Sequence, residues 1–533
     1  MVLRNDAVPM PKEKITFKKA SNGTEYVYYT LRAYRNKNGK PTSDEAAIGK
    51  KDPGTGMLIP NRRYYEIFHA TDPSEIDKAA ASAPQRVRSC GNVVALTEIS
   101  KQTGLAEILR HCFPVNWDRI LACAFYMVCE GNVMMYIEDW FEETRVGLTD
   151  WMDDIDCSRL FASITEEERL GFFKRWVKYR GEQEYIVYDV SSISTYSKNI
   201  SIAEWGYNRD NDNLPQMNLG MYYGATSQMP VYYDLYSGSI PDKTYLEYMM
   251  ATSKDLGILN VCFVMDRGFV MDENLTCIEG NGYSFITAMP GNMLEARRLI
   301  DENKSLVRKS ANRIKDFDVY CIQRPFEMYG LNLQAHIYFS SEKQAFDEKE
   351  LYARIEKLHD ELEKISKSKR VTKRYRDYFT IDEKAQEALT FDLDTEKVDE
   401  RLERAGFFVL ISSDSKLTSG EVIRIYRDRD SIEKNFDEFK NRLDFKRMRT
   451  HWNKTTEGKM FVGFLALILR SQIRRLMKAS PQTKHLTFEK VLIELRKIKS
   501  VTLADQREAL VPLTKLQKTI LAALAVPTEI IGN

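Results

Sequence analysis

The spacing of apolar and polar positions divides the chain into stretches of different period. Between residues 14 and 68, alternating runs such as TEYVYYTLRAYR are separated by NKNGKP and DPGTG. That is the pattern of half-buried strands joined by Gly, Pro and Asn turns, and it predicts a small β-rich N-terminal domain over 1–70. Residues 71–88 are polar and Ala-rich, a linker by composition. From Val93 the period lengthens, and VVALTEISKQTGLAEILRHCF and WDRILACAFYMVCEGNVMMYIEDWF predict a helical domain over 90–180. Within it, TEISKQTGLAEILR has the form of helix, Gly turn and helix, which ordinary helix packing also produces.

From residue 184 the period shortens again. YIVYDVSS is a buried strand, IAEWGYN follows, and NLGMYYGATSQMPVYYDLYSG is two runs around a short turn. A helix (KTYLEYMMATSKDLG), a strand (NVCFVMD), a helix near ENLTCIEG and a strand (YSFITAMP) come next. Strands first and alternating strands and helices afterwards predict a mixed sheet flanked by helices, its first part over 184–302. Residues 303–404 break the rhythm with FDVYCIQRP, NLQAHIYFS and the charged helix KELYARIEKLHDELEKIS, and read as an inserted subdomain. GFFVLISSD then resumes a buried strand, and a long helix begins near Gly420. The second part of the core is expected over 405–475 and a helical C-terminal region over 476–533.

Composition narrows the class. With 43% apolar and 29% charged residues, the 533-residue chain reads as a globular protein of several domains. The longest apolar run, Met460 to Leu469, is too short to cross a bilayer, and no membrane partner is expected. MVLRNDAVPMPKEK has no signal-peptide pattern, and eight scattered cysteines without a C-x-x-C pair suit free thiols in a reducing cytoplasm. Six scattered histidines make no zinc motif. Net charge is only +1, which excludes a uniformly basic nucleic-acid protein. The charge is uneven, however. Residues 431–500 hold 17 Lys and Arg against 7 Asp and Glu, and Lys364, Lys367, Lys369, Arg370, Lys373, Arg374 and Arg376 form a second basic cluster. Such patches can follow a phosphate backbone, or can simply be solvated helix faces.

Three carboxylates stand out by position. Asp189 lies inside the apolar strand YIVYDVSS, and Asp266 ends NVCFVMD. An acid in such a strand needs a partner or a metal to offset the cost of burial. The third lies in EVIRIYRDRDSIEKNFDEFKNRLDF. On a helix of about 100° per residue, with Tyr426 at zero, Arg429 falls near ~300°, Glu433 near ~340° and Lys440 near ~320°. An apolar stripe of Ile425, Ile432, Phe436, Phe439 and Leu443 lies beside them. Asp437, near ~20°, is a rival acid, and a surface helix with chance i,i+4 pairs is the plain alternative.

These residues resemble a known family. Tyr426, Arg429, Glu433 and Lys440 match the Y-x2-R-x3-E-x6-K signature of DDE-superfamily insertion-sequence transposases of the insertion-sequence-four type. Asp189 in YDVSSIST is similar to the family's first-acid strand, and Asp266 in MDRGF to its second-acid D-x-G-[FY] motif. The gap of 167 residues between Asp266 and Glu433 leaves room for the β-rich insertion of this group. The resemblance covers about residues 184–475.

It implies an α/β fold with a ribonuclease-H-like catalytic core. Asp189, Asp266 and Glu433 would be the catalytic acids and hold two Mg²⁺ or Mn²⁺ ions, which suit hard oxygen ligands. Arg429 and Lys440 would grip DNA phosphates, and Tyr426 would position the strand. Trp452 in RTHWN is a candidate for holding a flipped base, against the ordinary role of a packed Trp. The implied activity is cut-and-paste DNA transposition: cleavage at the element's terminal inverted repeats and strand transfer into target DNA by a homodimer assembled on DNA, in a prokaryotic cytoplasm. Residues 90–145 and the basic patches are candidates for reading the ends. A nuclease on the same core and a domesticated DNA-binding protein are the alternatives.

Overall fold

The computed structural model describes residues 7–68, 84–181, 185–206, 213–225, 227–259, 262–364, 372–382, 390–504 and 507–528. They form two compact units: Met1–Ser89 with Ile498–Pro512, and Cys90–Lys497 with Leu513–Ile531.

In the first unit the alternating N-terminal runs pair as an antiparallel sheet in chain order, β1 (Ile15–Lys19), β2 (Glu25–Arg35), β3 (Pro41–Lys51) and β4 (Leu58–Pro60). One face is apolar. Val27, Ile48 and Leu58 are fully buried there, covered by Tyr64, Ile67 and Phe68 of α1 (Arg62–Phe68). A second sheet joins β5 (Pro84–Ser89) to Lys499–Leu503 and that strand to Glu508–Leu510. The C-terminal region is therefore not wholly helical. Of the expected linker, 84–88 belong to β5 and 71–83 lie outside the described residues.

The second unit opens with α2 (Gly91–Gln102), α3 (Leu105–Cys112) and α4 (Trp117–Glu130). Gly104 provides the turn between α2 and α3 in a left-handed conformation, φ +72°. Then come α5 (Asp154–Ser163) and α6 (Glu166–Arg180), the latter started by a capping box of Thr165 and Glu168.

The central sheet follows: β6 (Tyr185–Thr195), β7 (Gln216–Gly224), β8 (Met229–Ser237), α7 (Asp242–Asp255), β9 (Cys262–Met265), α8 (Asp272–Gly280), β10 (Ser284–Ala288) and α9 (Leu294–Val307). β6, β7 and β8 form an antiparallel meander, and β9 and β10 add beside β6 in parallel. This is the ribonuclease-H-like mixed sheet that the resemblance implies. β6 and β7 are buried along nearly their whole length, which explains their continuous apolar pattern.

The sheet does not stop at β10. It continues through β11 (Arg313–Ile314), β12 (Val319–Met328) and β13 (Leu331–Phe339) in the order β11-β12-β13-β16-β10, where β16 is Phe407–Ser412. The hairpin expected inside a separate insertion is thus part of the core sheet. β13 explains why: its second half, Ala335 to Phe339, is buried on successive residues and so on both faces, which an isolated hairpin cannot provide. What stands apart is α10 (Ser341–Glu363), β14 (Phe379–Asp382), β15 (Thr390–Leu393) and α11 (Thr395–Glu403), around Ile355, Leu358, Leu362, Tyr378, Phe379 and Val398. Of the second basic cluster, Lys367, Lys369 and Arg370 lie outside the described residues.

The expected long helix is segmented. It runs as α12 (Ser419–Asp428), a turn at Arg429, α13 (Asp430–Asp437) and a π-helix (Glu438–Arg442), closed by a Leu443 N–H to Glu438 C=O bond of 2.8 Å. β17 (Arg447–Met448) then pairs with the end of β6. The apolar run Met460–Leu469 lies in α14 (Asn453–Ala479) and is buried on every side, with Phe461 against Phe113, Phe172 and Phe173. α15 (Phe488–Arg496) and α16 (Lys515–Ala523) follow. Among the described residues no single helix is long and apolar enough to cross a membrane, and all eight cysteines are free.

Candidate active site

Two of the three acids are set by strand register. β6 and β9 pair in parallel with Ile186 opposite Phe263 and Val187 opposite Val264. The same offset carried two residues further sets Asp189 beside Asp266, on one face of the sheet because side chains alternate with a period of two. Asp189 is buried, and its Oδ1 accepts the N–H of Val190 at 2.8 Å. Asp266 follows the last residue of β9 and caps a short 3₁₀ turn, accepting the N–H of Arg267 at 2.8 Å. Its side chain keeps 44% of its exposure, so the pair has one shielded and one open carboxylate.

The third acid arrives on α13. Thr418 and Glu421 make a capping box that starts α12, and Val422, Ile423 and Ile425 bury its apolar side. The strand below pins the same end. Tyr338 on β13 donates its hydroxyl to the Ser419 carbonyl at 2.6 Å, and His336 Nδ1 lies 2.9 Å from the Ser419 hydroxyl. Burial pushes the His336 imidazole down to about 4. Neither residue figured in the sequence reading. The signal was present in NLQAHIYFS, a polar His inside the run from Ala335 to Phe339.

Arg429, at the turn between α12 and α13, joins the acids. One guanidinium nitrogen lies 3.1 Å from Glu433 Oε1 and another 3.9 Å from Asp266 Oδ1. The guanidinium lies 5.4 Å from the centre of the Tyr426 ring. Burial disfavours its charge, but Tyr426, Asp266, Glu433 and Asp189 together outweigh burial and hold its pKa above the usual arginine value. Tyr426 is shifted upward by burial, with Arg429 opposing and Asp266 adding to the shift. A single cation of 12% exposure thus feels all three acids. The three carboxylates do not lie within 4.8 Å of one another, since the cluster of metal-ligating groups at that spacing among the described residues is His359, Asp360 and Glu363, all exposed on α10. The donor set of hard carboxylate oxygens already gathered about a positive charge suits divalent cations. Glu433, 56% exposed, has the freedom to close the distance.

Asp266, Tyr426, Arg429 and Glu433 open into a cavity of about 760 Å³. Its basic lining adds Arg267, Arg427 and Lys343, and its far wall is the start of α10, with Ser340, Glu342 and the exposed Phe346. Lys440 and Asp189 are not among the lining residues. Lys440 falls in the π-helix and is buried, so the uniform helical wheel that aligned it with Tyr426, Arg429 and Glu433 does not describe this segment. Asp437, the rival acid, accepts the side-chain amide of Asn441 at 2.7 Å, whereas Glu433 meets Arg429. Trp452 is exposed at the start of α14 rather than packed.

Behind the π-helix lies a buried ion network. Glu438 accepts from Arg470 Nε at 2.6 Å and from Arg474, and Arg470 also donates to the Val128 carbonyl at 3.2 Å and stacks 3.8 Å over Phe488. It ties the segment that follows Glu433 to α14 and α15.

A family model described as a transposase DDE domain matches residues 180–469, more than half of the chain. No curated protein matches it. Among solved structures, the cryo-EM structure of a piggyBac transposase synaptic complex with hairpin DNA aligns over 72% of this chain and 70% of that chain, with 10% identity and a TM-score of 0.33.

Proposed function

The chain belongs to the family of transposases built on a DDE domain, enzymes of DNA transposition that cleave and join DNA, and from that premise we propose that it cuts the ends of its element and transfers them to target DNA with Asp189, Asp266 and Glu433 as the catalytic acids. One observation carries this reading. Asp266 and Glu433 both lie against the guanidinium of Arg429 at the mouth of a basic-rimmed cavity, and Asp189, on β6 and 244 residues before Glu433 in the chain, adds its charge to that same cation. Without a functional site, gathering three carboxylates would only add repulsion and desolvation cost.

DDE transposases use divalent metal ions. The three acids would hold two ions, Mg²⁺ or Mn²⁺, and such ions, when bound, make water or a 3′-hydroxyl a better nucleophile and stabilise the leaving oxygen. The chain's own groups supply the rest. Asp189, shielded on its strand, is a fixed oxygen donor. Asp266 and Glu433 are open enough to reach both a cation and the solvent side of the cavity. Arg429 balances their charge in the free protein and, released from Glu433, presents a planar fork to a phosphate. Tyr426 holds that guanidinium by its ring, and Arg267, Arg427 and Lys343 extend the positive rim along which a strand would run. Lys440 would support the site as a point charge from the π-helix. Work as a homodimer on paired ends completes the proposal.

The test is cleavage of duplex DNA carrying the element's ends in Mg²⁺ or Mn²⁺. Asp189→Ala and Glu433→Gln are expected to lose at least a thousandfold in cleavage rate while still binding the duplex. Robust cleavage by Asp189→Ala would overturn the assignment. Strand transfer from pre-cut ends separates a transposase from a nuclease on the same core.

A further inference from the structure

The N-terminal sheet holds a feature that the catalytic unit does not explain. One face of β1–β4 is packed by α1, but past Thr30 the strands leave that core behind. Residues 31–41 are exposed at every position, on both faces of the β2–β3 hairpin. Arg32 pairs with Asp44, Ala33 with Ser43, Tyr34 with Thr42 and Arg35 with Pro41, so the projection is a two-stranded ribbon. Free hairpins are marginally stable in water, and this one has no apolar face to bury.

Its tip is nevertheless well fastened. The Asn36 N–H donates to the Lys40 carbonyl at 2.9 Å, and the Gly39 N–H to the Asn36 carbonyl at 2.9 Å. The Asn36 side-chain oxygen accepts the N–H groups of Asn38 at 3.0 Å and Lys40 at 3.1 Å. Arg35 donates to the Gly39 carbonyl at 2.9 Å. Gly39, at φ +74°, supplies the left-handed turn that other residues adopt at a cost.

The charge is mostly of one sign. Between Leu31 and Asp44 the ribbon carries four cations, Arg32, Arg35, Lys37 and Lys40, and one acid, Asp44, which stands opposite Arg32 and accepts the Tyr34 hydroxyl at 3.2 Å. Residues 7–68 together hold twelve Lys and Arg against six Asp and Glu, a balance of +6 in a chain whose total is +1, so the rest of the chain is net acidic. Basic charge has been concentrated on a rigid, doubly exposed ribbon.

We propose that the β2–β3 ribbon is a DNA-reading arm that enters the major groove of duplex DNA at the element's ends. The choice of end DNA as occupant rests on the transposase reading above. The fit is physical: two strands about 4.8 Å apart with their side chains match a groove about 12 Å wide. Arg32, Arg35, Lys37 and Lys40 meet phosphates or the acceptor edge of guanine, and Asn38 at the tip has the donor and acceptor that adenine requires. Double-stranded RNA, whose major groove is narrow and deep, is not accommodated.

The experiment uses the full chain and fluorescence anisotropy across a salt series. The probes are a duplex from the element's end, a shuffled duplex and an RNA duplex of the end sequence. The variant R32A/R35A/K37A/K40A, its fold checked by circular dichroism, is expected to lose at least tenfold in affinity for end DNA. Its slope of log K against log salt should fall by up to about 3.6, at roughly 0.9 for each of the four phosphates that are no longer neutralised. R32K/R35K keeps the charge and should keep the salt slope while losing preference for the end over the shuffled duplex. Unchanged affinity and slope in the fourfold variant, or a preference of the wild type for the RNA duplex, would overturn the arm. Asp189→Ala serves as the second axis: it should bind like the wild type and fail to cleave. If it cleaves while the arm variant loses binding, the catalytic reading falls and the arm stands; if it is inert while the arm variant binds normally, the arm falls alone.

Discussion

Glu438 offers the sharpest test of how the helix that carries Glu433 is held. Its carboxylate is 2% exposed and Arg470 is 3% exposed, and Arg474, a third exposed, completes the trio. Burial pushes the Arg470 pKa below the ordinary value, with Glu438 opposing. A guanidinium cannot shed its proton at any accessible pH. Glu438→Gln therefore leaves a buried cation without its counter-charge, and the expected cost is about 3–5 kcal/mol. Arg470→Met removes the buried cation but leaves Glu438 with Arg474, so the cost falls to about 2–3 kcal/mol. Arg474→Met, at the solvent edge, costs about 1 kcal/mol or less. The double variant Glu438→Met/Arg470→Met removes both buried charges and should lie within about 1–2 kcal/mol of the wild type. Urea unfolding gives the ranking, and hydrogen exchange at the Leu443 amide, which closes the π-helix, assigns the loss to this segment. A cost for Glu438→Gln below about 1 kcal/mol, or a double variant as damaged as the sum of its singles, would refute the reasoning.

Three further outcomes follow from buried groups and backbone. His336, held near 4 against about 6.5 for a free imidazole, is favoured neutral in the fold. Its contribution is complete above pH 6.5 and is lost as pH falls through 4, so the stability gap between wild type and His336→Gln should narrow by about 2–3 kcal/mol from pH 7 to pH 4.5 in urea titrations; a constant gap refutes it. Lys459 on α14 is lowered to about 8, by burial first and then by Arg449, with Asp444 opposing. Its stabilisation is present above pH 10.5 and lost as pH falls through 8, so Lys459→Met should gain about 2–3 kcal/mol at pH 7, read as a raised unfolding temperature, and no gain at pH 10.5. Gly104 adopts φ +72°, a conformation that costs a residue with a Cβ, and the half-exposed Tyr179 ring, 2.5 Å from where that Cβ would stand, must swing aside, so Gly104→Ala should cost about 1–2 kcal/mol by thermal unfolding, and a neutral result refutes the backbone argument.

Much of the catalytic core was legible in the sequence because its strands are buried on both faces, and such strands read as unbroken apolar runs. Against YIVYDVSS and NVCFVMD a single acid is conspicuous, and parallel pairing then brings Asp189 and Asp266 level. The helix bearing Glu433 was legible in composition but not in phase. A wheel of about 100° per residue assumes an unbroken α-helix, whereas an i+5 bond at Glu438 shifts every residue after it, Lys440 included. The side chain of Glu438 is held by Arg470 and Arg474, more than thirty residues away, and no local pattern announces that tie. The hairpin of β12 and β13 failed differently. Its pattern is that of any hairpin, and only pairing of β13 with β16, some seventy residues on, makes it part of the core.

These long-range ties also explain which part of the site can adapt. Asp189 is embedded in a strand paired on both sides, and Asp266 is fastened through its own backbone turn. α12 is anchored at its start by Thr418, His336 and Tyr338, and the segment after α13 is anchored by Glu438 to α14. Glu433 lies between those two anchors on a helix that begins at a turn, with its carboxylate more than half exposed and paired to Arg429. Backbone movement is restrained at both ends, and Arg429 is held by Tyr426 and Asp266, whereas the Glu433 carboxylate, 56% exposed, is held only by its pair with Arg429. On the proposed function, adjustment of the acids to a substrate phosphate falls to the Glu433 side chain and its pair with Arg429, whose exchange of partners requires no rearrangement of the sheet.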